Sequence, residues 1–113
     1  MPLSIFITGA AAGIGRAAAI KFAAAGWQVG LYDRDAEGLT SLQAELGERS
    51  VSLPMDVTND DSVAAAIAQF SEHTGGTMNV LFNSAGVLTT GPFLENQAGS
   101  AERMFDINVL GLL

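Results

Sequence analysis

Thr8-Gly9-Ala10-Ala11-Ala12-Gly13-Ile14-Gly15 joins a short apolar run, Leu3 to Thr8, to a stretch of good helix formers, Gly13 to Ala25. The first run (Leu3-Ser4-Ile5-Phe6-Ile7-Thr8) is β-branched and aromatic, is flanked by Pro2 and Gly9, and reads as a buried strand. The second carries Arg16, Lys21 and two alanine clusters, and Gly26 supplies its stop. A strand-to-helix turn of this kind aims free N–H groups and the positive helix end above the sheet, where they suit a pyrophosphate. Gly9 is expected to permit the tight turn. Gly13 would remove a Cβ where phosphates approach, and Gly15 would let the helix pack close to the sheet. The spacing is G-x-x-x-G-x-G, not the usual G-x-G-x-x-G. Taken alone, in a chain with 13 glycines, it fits a closely packed turn without function equally well.

Outward from this turn, strand-like and helix-like segments alternate. Val29 to Tyr32 is a second apolar strand ending at Asp33. Ala36 to Leu46 places Leu39, Leu42 and Leu46 at helical spacing before Gly47. Val51-Ser52-Leu53 is a third strand, leading through Pro54 and Met55 to Asp56. Thr58-Asn59-Asp60-Asp61 offers capping groups and first-turn acids to a helix striped by Val63, Ile67 and Phe70, which Gly75-Gly76 ends. Met78 to Phe82 is the fourth strand, followed by Asn83-Ser84-Ala85-Gly86. A loop over residues 88–99 and a helix over 100–113 are expected to follow. Strict alternation, with strands apolar on both faces, predicts an α/β, doubly wound parallel sheet in the order 3-2-1-4. Residues 1–113 are read as one Rossmann-like domain of about four strands.

Asp33 at the end of the second strand can accept bonds from the hydroxyls of an adenosine ribose, and Asp56 after the third lies within reach of a base edge. Either aspartate alone would pass as a loop or cap residue. Three such features in register across successive strand-to-helix units are harder to assign to chance.

TGAAAGIG, Asp33, Asp56-Val57, Asn83-Ser84-Ala85-Gly86 and Asn108 together resemble the N-terminal half of a short-chain dehydrogenase/reductase. The resemblance implies that Thr8, Gly9, Gly13, Ile14 and Gly15 hold the dinucleotide pyrophosphate, and that Asp56 and Val57 meet the adenine. It implies that Asn83, Ala85 and Gly86 steady the central sheet and line the nicotinamide side, with Ser84 standing where a second asparagine is frequent. Asn108 matches a helix asparagine that takes part in a proton relay through ordered water. A carboxylate at Asp33 repels a 2′-phosphate and favours NAD over NADP as cofactor, with Arg34 against the adenine face. The neighbouring Arg34 argues the other way, since guanidinium groups partner phosphates, but Ala12 offers no second positive charge.

The family's chemistry uses a serine and a Tyr-x-x-x-Lys pair, in which the lysine lowers the tyrosine pKa. The 113 residues hold one tyrosine, Tyr32, and one lysine, Lys21, so no such pair is present. The resemblance therefore implies the cofactor half of an enzyme that passes hydride between NAD(H) and a small alcohol or carbonyl substrate, with this chain inactive alone. An open fourth-strand edge is expected to be covered by the rest of the same protein or by a second copy. Two other readings stay open. One is a nucleotide-binding or interaction module without catalysis. The other is a methyltransferase-like domain, for which the Asn-Ser-Ala-Gly segment and Asn108 have no purpose.

Composition removes further classes. With 49% hydrophobic and 15% charged residues the chain can bury a core, so disorder is a poor reading. No cysteine is present, which excludes disulfides, thiolate metal sites and cysteine nucleophiles. Twelve acidic against five basic residues give a charge of -7, the wrong sign for nucleic-acid binding. Apolar runs are too short for a bilayer, and a cytoplasmic protein is expected. His73 is read as a helix-end residue favouring the dipole, Trp27 as packing between the first helix and second strand, and no metal site is expected.

Overall fold

A computed structural model describes residues 2–84 of the chain. In chain order its elements are β1 (Ser4–Thr8), α1 (Gly13–Ala24), β2 (Gln28–Asp33), α2 (Ala36–Leu46), β3 (Ser50–Pro54), α3 (Asp60–Thr74) and β4 (Val80–Asn83). The four strands form one parallel sheet in the order β3-β2-β1-β4, as the alternation predicts. The expected loop at 88–99, the expected helix at 100–113, and Ala85, Gly86 and Asn108 lie outside the described residues.

Every residue of β1 is buried, because the central strand has helices on both faces. Its side chains alternate between two cores. Phe6 points towards α3 and joins Tyr32, Met55, Val63, Ala66, Phe70 and Leu81. Ile5 and Ile7 point the other way, to Ala19 of α1, Val29 and Leu31 of β2, and Leu39 and Leu42 of α2. The first core is aromatic: Phe6 stacks on Tyr32 with centroids 4.2 Å apart and meets Phe70 edge-on at 5.3 Å. The Tyr32 hydroxyl donates to Gln69 Oε1 at 3.0 Å, and burial holds its pKa above the ordinary phenol value. Tyr32 is thus a core residue. Trp27 packs edge-on against Phe22 of α1 at 4.8 Å, the packing role expected of it.

Two glutamines tie the outer strand to its helices. Gln43 Nε2 of α2 donates to the Ser50 carbonyl at 3.1 Å, and Gln69 Nε2 of α3 donates to the Ser52 carbonyl at 2.9 Å. At the other edge, β4 begins two residues later than the apolar run from Met78 suggests. Asn79 is the reason. Its Oδ1 accepts from the Ser4 N–H at 2.9 Å and the Ser4 hydroxyl at 3.2 Å, so a side chain serves the Ser4 donor, while the Asn79 N–H donates to the Ser4 carbonyl at 3.1 Å. Met78 instead packs against the aromatic core.

Candidate functional site

The three helices that follow β1, β2 and β3 all start at the carboxyl edge of the sheet, where open α/β sheets present their ligand crevice. Two starts are closed by their own sequence. Asp35 caps α2 by accepting from the Gly38 N–H at 3.0 Å, and Asn59 caps α3 by accepting from the Ser62 N–H at 3.0 Å. Acidic residues follow in both first turns: Glu37 in α2, Asp60 and Asp61 in α3. The start of α1 has neither. Its N-cap, Ala12, makes no side-chain bond and no acid stands in its first turn. The first bond of this helix runs from the Arg16 N–H to the Ala12 carbonyl, so the amides of Gly13, Ile14 and Gly15 have no partner among the described residues.

The turn before α1 is pinned from both sides. On the β2 side the Ala10 N–H donates to the Tyr32 carbonyl at 3.2 Å, and the Ala11 N–H donates to Asp33 Oδ2 at 3.0 Å. On the β4 side the Ser84 hydroxyl donates to the Thr8 carbonyl at 2.7 Å and approaches the Gly9 carbonyl at 3.2 Å. One step below, the Thr8 hydroxyl donates to Asn83 Oδ1 at 2.6 Å across registered strands. Gly9 and Gly13 take positive φ, 69° and 58°, which is what makes the chain reverse here without strain. Around a Cβ built on Gly13 there is nothing within 4 Å, so the turn opens outward at this point. Gly15 is the opposite case. A Cβ there would fall on the Gly9 carbonyl and the Ser84 hydroxyl, so glycine is required by packing against the turn itself.

A cavity of about 530 Å³ lies above these strand ends, lined by Gly9, Ala12, Tyr32, Asp33, Arg34, Met55, Asp56, Val57, Thr58 and Ser84. Of the residues expected from sequence, it brings together Gly9, Asp33, Arg34, Asp56 and Val57. Thr8 and Asn83 sit beneath it as a bonded pair. Gly13, Ile14 and Gly15 open the helix beside Ala12 and are not in the lining. Asp33 Oδ1 accepts from the Asp35 N–H at 3.0 Å, so each oxygen of this carboxylate already holds one backbone amide. Asp56 Oδ1 accepts from both the amide and the hydroxyl of Thr58, at 2.9 and 2.6 Å. Those two bonds, with a smaller pull from Arg34, hold its pKa below the ordinary carboxylate value.

Sequence reasoning passed over Ser84 as a mild departure and did not count Met55 or Thr58 in the site. The signal for Ser84 was its place one residue past the strand, which lets a short hydroxyl reach back to the glycine turn. Among the described residues there is no group of three or more His, Asp or Glu side chains placed to hold a metal, and no helix long and apolar enough to cross a membrane.

The match of residues 4–113 to the family model described as short chain dehydrogenase decides the assignment. The chain belongs to the short-chain dehydrogenase family. This sets aside the methyltransferase-like reading. Relatives within the family include sorbitol dehydrogenase of Cereibacter sphaeroides, 34% identical over 107 residues, which cover 95% of this chain and 41% of that protein. Sulfoacetaldehyde reductase of Chromohalobacter salexigens is 38% identical over 111 residues, covering 96% of this chain and 44% of the relative. Among solved structures, a short-chain dehydrogenase/reductase from Burkholderia phymatum in complex with NAD superposes with a TM-score of 0.67 at 31% identity. That match covers 71% of this chain and 29% of the other. The chain spans less than half the length of these curated relatives.

Proposed function

We propose that the cavity at the carboxyl edge of the sheet binds a dinucleotide, NAD in preference to NADP, and that residues 1–113 form the cofactor-binding part of a hydride-transferring oxidoreductase. The observation that carries this reading is the pairing of an uncapped, acid-free helix start at Gly13 with the carboxylate of Asp33 on the same cavity. The fit to the group rests on three features. The unpartnered amides of Gly13 to Gly15 and the open space at Gly13 suit a pyrophosphate. Asp33 keeps a second lone pair on each oxygen for a ribose diol, since a carboxylate offers about four acceptor positions and two are used. Ile14, 73% exposed at the helix start, offers apolar surface there.

When bound, the nicotinamide supplies or accepts the hydride. The chain's own residues bind and orient. Thr8, Gly9, Gly13, Ile14 and Gly15 hold the diphosphate; Asp56 and Val57 meet the adenine, with Arg34 over its face. Asn83, Ala85 and Gly86 steady the sheet below the nicotinamide side, and Asn108 serves as the auxiliary group of a proton relay. The preference for NAD follows from Asp33, whose negative charge opposes a 2′-phosphate. A small alcohol or carbonyl compound is the substrate class, in line with the dehydrogenase and reductase activities named for the relatives. Hydride transfer needs a serine, a tyrosine and a lysine that these 113 residues do not supply in the required pattern.

Calorimetric titration of the chain with NAD and with NADP, with turnover assayed in parallel, tests the reading. Saturable NAD binding that weakens at least about tenfold in Asp33→Ala, as NADP binding improves, is the expected result for loss of a charged hydrogen-bond acceptor. Equal NAD affinity in wild type and variant would refute the assignment of the ribose to Asp33. Turnover by the 113-residue chain would refute the placement of the chemistry elsewhere.

A further inference from the structure

The carboxylate of Asp33 does something that ribose recognition does not require. Its Oδ2 accepts the Ala11 N–H from the middle of the glycine turn at 3.0 Å, while Oδ1 accepts the Asp35 N–H from the opening of α2 at 3.0 Å. One side chain thereby joins the turn before α1 to the turn before α2. The neighbourhood is close-fitting: a Cβ on Gly38, in the first turn of α2, would crowd Ala11 and the carboxylate of Asp35. Among the described residues one other bond holds the turn to β2, from the Ala10 N–H to the Tyr32 carbonyl at 3.2 Å.

We propose that Asp33 is a positioning residue for the diphosphate as well as a contact for the ribose, fixing the glycine turn through Ala11. This rests on the dinucleotide reading above. A charge-assisted bond from a backbone amide to a carboxylate is among the stronger hydrogen bonds. Anchoring a turn in its binding shape removes an ordering cost that ligand binding would otherwise bear. Phosphate and ribose recognition are then coupled through a single carboxylate, and neutralising it to admit a 2′-phosphate also loosens the turn that grips the diphosphate.

The coupling makes a prediction opposite in sign to that of charge alone. Inorganic pyrophosphate has no ribose, and removing a nearby negative charge should strengthen its binding if Asp33 acts only as a charge. If Asp33 fixes the turn, pyrophosphate affinity falls in the order wild type, Asp33→Asn, Asp33→Ala, with the alanine variant weaker by about tenfold for one lost charged hydrogen bond. The asparagine variant keeps one carbonyl acceptor and retains an intermediate affinity. Hydrogen exchange of the Ala11 amide in the ligand-free chain should quicken by a similar factor in Asp33→Ala, while exchange of Leu81 in β4 stays unchanged. Pyrophosphate binding as tight or tighter in both variants, or unaltered Ala11 exchange, would overturn the proposal. Failure of the wild-type chain to bind NAD at all would instead refute the dinucleotide reading, and Ala11 exchange would still report whether Asp33 fixes the turn. Should the alanine variant not fold, the asparagine variant carries the same comparison.

Discussion

The start of α1 and the start of α3 lie on the same edge of one sheet, yet they are finished in opposite ways. Asn59 caps α3, and Asp60 and Asp61 set two negative charges against its positive end. Ala12 leaves α1 open, and the turn in front of it is held by Asp33 on one side and Ser84 on the other. A missing cap costs a helix about 1 kcal/mol, so an uncapped start is a local loss that capping chemistry would easily repair. The chain spends its hydrogen bonds on fixing the turn and, among the described residues, leaves the helix amides unpartnered. On the reading proposed above, the difference teaches that α3 is finished for stability and α1 for an external anion.

Substitutions can break or sharpen this contrast. The largest effect is expected at Gly15, where a valine would collide with the Gly9 carbonyl and the Ser84 hydroxyl. Overpacking of this kind costs about 1–3 kcal/mol or more. Gly15→Val should lower the urea midpoint sharply and remove NAD binding, whereas Gly13→Ala should cost less, through its positive φ and not through collision. Unchanged stability in Gly15→Val would show that the turn is looser than its packing indicates.

Converting one start into the other is the sharper test. Ala12→Asp supplies the missing cap, so it should raise stability by about 0.5–1 kcal/mol while weakening NAD binding about tenfold or more, through a charge set against the diphosphate. Stability and affinity thus move in opposite directions. A variant improved in both, by thermal unfolding and calorimetry, would show that the open start is not reserved for an anion. The reciprocal change, Asn59→Ala, should cost about 1 kcal/mol and leave NAD affinity within experimental error.

The smallest effect concerns acid. Thr58 holds the Asp56 pKa below its ordinary value, so this contribution is complete above the unfolded carboxylate pKa and is lost as pH falls through the lower folded value. Thr58→Val removes the hydroxyl donor. It should be slightly less stable than wild type at pH 7, with the gap closing below about pH 4 as the carboxylate protonates. A gap of constant size across that range, measured by urea unfolding, would assign it to something other than Asp56.

Much of the fold was legible because strands buried on both faces read as unbroken apolar runs and glycines mark most helix ends. The bounds of α2, Ala36–Leu46, follow from its leucine spacing and Gly47 alone. The start of β4 was not legible: Met78 belongs to the apolar run, but the Asn79 side chain takes the Ser4 N–H, a contact from the far end of the sequence. In the site, Asp33 and Asp56 were found by position after their strands. What their carboxylates already hold was not, since the bond from Ala11 to Asp33 joins residues brought together only by parallel pairing of β1 and β2. The role of Ser84 escaped for the same reason: its motif marks only a replaced asparagine, while its value lies in reach to Thr8 and Gly9.

The central claim, that the amides opening α1 receive a diphosphate, is tested most directly by following every backbone amide resonance of the chain while NAD is added. The account predicts saturable shifts largest at Gly13, Ile14 and Gly15, smaller ones at Asp33 and Val57, and none at Asp61 and Ser62, where α3 begins. Shifts absent from Gly13 to Gly15, or equal at the starts of α1 and α3, would contradict it.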